Sequence, residues 1–345
     1  MCSSRSAWGN ISPRVKSMFA ISKAASTPSR RASEGTACVP RLRVGLVLSL
    51  AIIFSTASPA LAEKTLRWKL AAGDQLQVNV SQQTTSTVTI ASKAVKTTME
   101  MTLETLWTVN SADENDIEFT QTVQRLAVKM QSGDSTPITY DSAVKSPPVG
   151  TAKEIAAAVK PLLAQGSALV VTMNTRGDVL SAQPNEKLAE LWKTPGTREI
   201  GGPGGSESTQ ELLKRSIVLL PEKSVAAGDA GKTKWTKERE VEIPIGKVKQ
   251  ATEFVYAGEV EEAGQKLDKI DFTSKLTLVP GGAKSLKLTL KDQTQTGHAL
   301  FSAEQGRVVS AEQTQKLVTE APYRETIIIV TVESTVKTVV SPLKK

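Results

Sequence analysis

Cysteine is absent after residue 38, the chain's two being Cys2 and Cys38. Everything downstream must fold without disulfides and offers no thiolate to a metal or a substrate. Histidine occurs once, at His298. A Ser-His-Asp triad, an imidazole base or a histidine metal centre would all have to route through that one side chain, at what reads as the start of a strand. Without thiols and with one imidazole, a transition-metal site would rest mainly on carboxylates, a poor match to such metals. Aromatic residues make up 4% of the chain, and beyond residue 62 the tryptophans are Trp68, Trp107, Trp192 and Trp235. Sugar-binding clefts are usually built with more. A phosphate loop is also missing in its proper setting. Ala226 to Thr233, AAGDAGKT, fits a relaxed Walker A pattern, but a P-loop opens a helix, whereas Trp235 to Ile245 alternates with period two and contains Pro244. It reads as a turn entering a strand.

What is present begins with an address. Arg41-Leu42-Arg43, the apolar run Val44 to Phe54 and the ending Ala60-Leu61-Ala62 have the three parts of a secretory signal peptide, with small residues at the last and third-last positions before Glu63. Cleavage is expected between Ala62 and Glu63, with Ala60 and Ala62 as the recognition residues. A membrane anchor fits less well, since Val44 to Leu61 is broken by Ser49, Ser55, Thr56, Ser58 and Pro59, and a spanning helix needs roughly 20 mostly apolar residues. Residues 1–40 are rich in Ser, Ala and Arg and have no apolar periodicity. They read as a disordered extended leader or as untranslated sequence ahead of a start near Val39. The region 41–62 is then the signal peptide, and the expected location is periplasmic or extracellular.

Charge follows the same cut. Residues 1–62 hold eight of the 43 basic residues and one of the 35 acidic ones, so the remainder carries 35 and 34, a net of +1 against +8 for the whole chain. The inference from a basic protein to nucleic acid loses its support. No Cys follows the apolar core, which argues against a bacterial lipoprotein, and the sequence after Glu63 has no second apolar run of membrane-spanning length. A chain of this size can bury a core by packing alone.

Three short echoes recur in the same order. Ala71-Ala72-Gly73-Asp74 returns as Ala226-Ala227-Gly228-Asp229; Ile117-Glu118-Phe119-Thr120 returns as Ile270-Asp271-Phe272-Thr273; and the turn Arg176-Gly177-Asp178-Val179 returns as Gln305-Gly306-Arg307-Val308. They point to an internal duplication. The first half carries additional residues near 151–165, where Ala152 to Val159 is rich in helix formers behind Pro147-Pro148 and Thr151.

Most other segments alternate with period two. Met99, Met101, Leu103, Thr105, Trp107 and Val109 share one face, and Ile328, Val330, Val332, Val336 and Val340 share another. Further alternation runs through Leu76/Val78/Val80, Val241/Ile243/Ile245, Ile270/Phe272/Leu276/Leu278 and Leu286/Leu288/Leu290. The phase flips near Gln124-Arg125, between Ile117/Phe119/Val123 and Leu126/Val128/Met130, as a β-bulge would cause. Asn185 to Trp192 and Ser208 to Leu220 have helical character, with Gly201 to Gly205 as a break between them. The expected fold class is mainly β (α+β): two related antiparallel meander halves, 63–184 and 223–345, with a helical insert near 151–165 and a helical, glycine-rich connector over 185–222.

Acidic loops are the remaining chemical candidates. Asp113, Glu114 and Asp116 between two strands are oxygen donors that suit calcium, but the EF-hand order is absent and turn formation explains Asp and Asn equally. Glu259, Glu261 and Glu262 occupy a comparable turn. No catalytic residue or cofactor is assigned.

Leu66-Arg67-Trp68-Lys69-Leu70 with Gly73-Asp74, then Leu220-Pro221, Gly228-Asp229 and Trp235, then Gly306-Arg307-Val308, resemble a family of exported proteins abundant in planctomycete bacteria. That family carries no assigned activity, so the resemblance, over about residues 64–340, implies an exported location and an architecture but no site residues. The function expected is an exported, non-catalytic cell-envelope protein that binds an apolar ligand, a lipid or a protein partner on a curved antiparallel sheet. A carboxylate-dependent exported hydrolase is the alternative. N-terminal sequencing of the exported protein is expected to start at Glu63, and a start far from it would reopen the charge argument.

Overall fold

The computed structural model describes residues 63–193, 217–243, 246–279, 289–323 and 326–343, all within the unit Ala57–Lys345. The leader, the signal peptide with Ala60 and Ala62, the Gly201 to Gly205 break and Leu286/Leu288 lie outside the described residues. In chain order the elements are β1 (Gln75–Ile90), β2 (Lys93–Ala112), β3 (Asp116–Ser132), β4 (Ile138–Asp141), α1 (Ala152–Leu163), β5 (Leu169–Asn174), β6 (Val179–Pro184), α2 (Glu186–Trp192), β7 (Lys234–Ile243), β8 (Gly246–Glu262), β9 (Gln265–Val279), β10 (Thr289–Ser302), β11 (Arg307–Tyr323) and β12 (Thr326–Pro342).

The strands form one antiparallel sheet in the order β6-β5-β3-β2-β1-β12-β11-β10-β9-β8-β7, with β4 alongside β3. Both halves therefore belong to a single sheet, joined where β1 pairs β12 over its whole length, from Leu76 opposite Pro342 to Ile90 opposite Ile328. The echoes occupy matching places. The two Ala-Ala-Gly-Asp turns precede β1 and β7, Ile117/Phe119 and Ile270/Phe272 lie on the third strand of each half, and the Gly177 and Gly306 turns join β5 to β6 and β10 to β11. In the first pair the detail is identical: the Asp74 and Asp229 carboxylates accept the N–H of Ala71 and Ala226 at 2.8 and 2.9 Å.

The phase flip in β3 is a bulge. Glu104 pairs Arg125 and Thr105 pairs Val123, so Gln124 is left over, and Phe119, Val123, Leu126 and Val128 stay on one face. α1 spans the insert expected there, although Thr151 makes no side-chain cap bond and Pro161 sits inside the last turn. There it removes the N–H that would otherwise bond the Ala157 carbonyl, two residues before the helix ends. α2 begins at an Asn185 cap whose side chain accepts from the Leu188 N–H at 3.0 Å. The helix expected over Ser208 to Leu220 needs correction in its described part. Ile217 to Leu220 is not helical, and all four side chains are buried. Tertiary burial on every side overrides a one-faced helical stripe here.

One end of the sheet is filled. Its inner face carries Leu76, Trp107, Phe119, Val171, Tyr256, Ile270 and Phe301, all buried. Two segments outside the sheet complete that core. Residues 64–70 insert Leu66 (0% exposed) and Trp68 (3%), the latter 6.3 Å from the Trp107 ring and 6.5 Å from Phe301. Residues 217–225 lie beside them through reciprocal Lys64–Val225 backbone bonds of 2.8 and 2.9 Å. These straps dock on the turns: Trp68 N–H donates to Thr175, Lys69 N–H to Gly306 and Leu220 N–H to Arg176. The sheet's two edges meet here too, since Lys237 of β7 pairs with Asp178 beside β6, and the Trp235 indole donates to Leu219 O at 2.9 Å.

Gly306 has φ +61°, and a Cβ there would lie 2.3 Å from the Lys69 Cβ. Gly133 has φ +53° with nothing within 4 Å. Gly306→Ala is expected to cost about 2 kcal/mol in urea unfolding and Gly133→Ala about 1 kcal/mol or less, from backbone strain alone. Trp68→Ala is expected to cost about 3–5 kcal/mol by emptying the core. Equal costs for the two glycines would show that the strap does not press on the turn.

Candidate binding face

Alternation turns every second side chain of each strand inward. Beyond the filled end, the inner face first meets a polar belt. Gln250, Thr252, Ser274 and Gln295 are buried there, with Thr252 and Ser274 hydroxyls 2.7 Å apart and Gln250 Nε2 donating to Gln295 Oε1 at 3.3 Å. Arg239 Nε and Nη2 both donate to Gln250 Oε1, at 2.9 and 2.8 Å. On the other half Gln82 donates to Thr84, which pairs with Ser334 at 3.1 Å.

Apolar side chains stand beside and beyond this belt on the inner face, with Met101 and Met99 directly opposite Gln82 and Thr84 and with Ser86 and Thr97 paired before Val88 is reached. Met101 stands opposite Val128, and Met99 opposite Met130. Val88 stands between Val95 and Val330, and Val332 lies opposite Leu317. None of these side chains is fully buried, and Val95, toward the β1–β2 hairpin tip, is 52% exposed. The strands are 15 to 20 residues long around this zone, whereas the packed core occupies only their other end. Methionine suits such a surface because its side chain is flexible and its thioether polarizable.

The residues singled out from the sequence are placed elsewhere. Asp113 accepts the N–H groups of Asn115 and Asp116, each at 2.8 Å, and the Asp116 and Asn115 bonds hold its carboxyl below the usual carboxylate range. Glu114 beside it is exposed, Asp116 opens β3, and Glu63 is exposed. Among the described residues no three His, Cys, Asp or Glu side chains gather as a metal site. His298 lies on the outer face, in register with Asp271 and Glu312. Ala227–Asp229 form a single 3-10 turn, and the chain then runs through Gly231 to Thr233 into β7, so no helix follows the glycines to face a phosphate.

Carboxylates do converge in two places among the described residues, each around a cation. Arg125 bridges Glu104 and Asp141 at 2.9 and 2.7 Å on the outer face. Lys64 bridges Glu259 and the buried Asp268, and Tyr256 donates its O–H to Asp268 at 2.8 Å. Ion-paired carboxylates in the filled end do not form the water-accessible acid and base pair that hydrolysis needs. Burial works against the Lys64 charge, yet its bonds to Asp268 and Glu259 outweigh this and hold its pKa above the ordinary lysine value. Burial first, then the Asp268 bond, pushes the Tyr256 phenol up. Lys64 in turn holds Glu259 below the usual range.

No protein-family model matches the chain, and no curated protein does. Among solved structures the chain is similar to lipovitellin, in a structure described by its lipid–protein interactions, with TM-score 0.40 and 11% identity over 80% of this chain and 26% of that one. It therefore spans about a quarter of lipovitellin's length. An outer membrane channel from Pseudomonas putida F1 is similar at TM-score 0.21 and 9% identity, over 79% of this chain and 97% of that one. A protein of the dynemicin biosynthesis pathway of Micromonospora chersina follows at TM-score 0.18 and 7% identity, over 81% and 85%. At scores this low none of the three bears on what the chain binds. No helix among the described residues is long and apolar enough to cross a membrane.

The ion cluster generates a pH dependence. Glu259, depressed in the folded state, contributes stability at neutral pH that is lost as pH falls through its folded value, while Lys64, raised, contributes below the ordinary lysine value and loses it only as pH rises past its folded value. Strap docking, read by tryptophan fluorescence, is expected to hold across neutral pH and to weaken below the usual glutamate range. Lys64→Met strands the Asp268 charge and is expected to lower stability by about 2 kcal/mol at pH 7, while flattening the acid limb.

Proposed function

We propose that the protein is an exported, non-catalytic component of the cell envelope that holds an apolar ligand, with acyl chains as the simplest fit, on the open half of its inner sheet face. The single observation that carries this is the apolar patch of Met99, Met101, Val128 and Met130, paired across β2 and β3 and incompletely buried on strands that continue well past the packed core. Contiguous apolar surface of that kind marks a site of interaction, because leaving it wet forgoes about 25 cal/mol per Å². The flanking strands need no further packing to hold it, since their ladders are complete in β1, β2, β11 and β12. The export signal read from the sequence supports an envelope location. The outer face, with Thr, Lys and Glu in alternation, supports a wet exterior.

The test is titration of the full chain with a fluorescent polyene fatty acid, paired with native mass spectrometry of protein taken from its own envelope. Saturable binding is expected, and Met101→Glu combined with Val128→Lys, opposite charges at directly paired positions, should abolish it, with urea unfolding checking that the fold is retained. Bare protein in the mass spectrum together with no saturable titration would overturn the reading.

A further inference from the structure

The sheet has a seam. β9 and β10 pair only from Asp268 opposite Phe301 to Thr273 opposite Thr296. Beyond that, β9 continues on β8 as far as Val279 and β10 continues on β11 from Thr289. The two strands thus part, each with one neighbour among the described residues, and the backbone groups of Ser274, Leu276 and Leu278 on β9 and of Gln293 and Gln295 on β10 face the parting, by the alternation of an antiparallel ladder. One side chain reaches across. Gln293 Oε1 accepts the Leu276 N–H at 2.6 Å, and Gln293 Nε2 donates to the Leu276 carbonyl at 2.8 Å. A primary amide that donates and accepts against the same residue reproduces what a peptide group of a neighbouring strand would do.

We propose that this seam receives an extended polypeptide strand from a partner, which displaces the Gln293 amide and pairs with β9 and β10. The hydrogen-bonding character of the opening selects the occupant. Peptide groups facing an acyl chain would lose their partners at a cost of a few kcal/mol each, whereas an inserted strand satisfies both lips at once, as strand addition does at other sheet edges. The side chains around the opening set the pattern it must carry: Leu276, Leu278 and Leu290 are half-buried on the inner side, and Lys275, Thr277 and Lys291 are exposed. An alternating apolar and polar strand fits, and the lips must separate to about 9.5 Å, two strand spacings.

Hydrogen exchange on the full chain tests it, with a ten-residue synthetic peptide alternating valine and glutamate as the probe. Exchange at 274–279 and 289–295 is expected to slow about tenfold when the peptide binds, as for amides entering a ladder. Gln293→Ala removes the competing amide and should tighten peptide binding several-fold; Gln293→Met, which keeps the length and loses both the acceptor and the donor, should act in the same direction and serves if the alanine variant fails to fold. Protection confined to β6 or β7, no protection in any of the three proteins, or protection by oleate in place of the peptide would overturn the proposal.

Discussion

Leu66 and Trp68 hold the architecture to a single solution. An open sheet with this many strands has no intrinsic reason to bring its two edges together, and the strands alone leave its inner face uncovered at both ends. The segment 64–70 supplies the missing apolar volume at one end, docking through backbone bonds on the β5–β6 and β10–β11 turns at once. Because those turns belong to opposite halves, the docked strap ties the halves together across the core. Gly177 and Gly306 permit it: at each, a Cβ would come within 3 Å of strap atoms. The buried Asp268, with Lys64 and Tyr256 around it, then fixes the register of the strap's first residue.

The filled end also explains the open one. Core volume is supplied only where the straps reach, so the long strands run past it into a belt of Gln, Thr and Ser with an incompletely buried patch of Met99, Met101, Val128 and Met130 beside it. A polar belt whose side chains bond one another separates dry core from open face without leaving buried polar groups unpaired. The inner face thereby has a packed half and a half whose apolar side chains are incompletely buried.

Period two was enough to place most of this in the sequence. The parity of Met99 to Val109 and of Ile328 to Val340 named the inner face correctly, and the phase change at Gln124 was readable as a bulge because a slip of one residue exchanges faces. The capped helix at Asn185 and the insert helix at 152–163 were legible from propensity and punctuation. The helical spacing of Leu212, Leu213, Ile217 and Leu220 pointed to a one-faced helix, whereas Ile217 to Leu220 form a strap in which all four consecutive apolar side chains are buried. The Lys64, Asp268 and Tyr256 cluster had no sequence signal at all, its members being separated by up to about two hundred positions. Asp113 looked like an oxygen donor for calcium, and its carboxylate instead closes its own turn.

By itself the sequence determined the strand pattern, the duplicated order of the turns and the chemical poverty of the chain, because composition and local periodicity are properties of neighbours along the chain. Which inner-face residues are buried and which stand open, where β9 and β10 part, and that a seven-residue strap closes one end were decided only by tertiary structure. Those depend on which distant segments meet, and burial is a property of the meeting rather than of the residue.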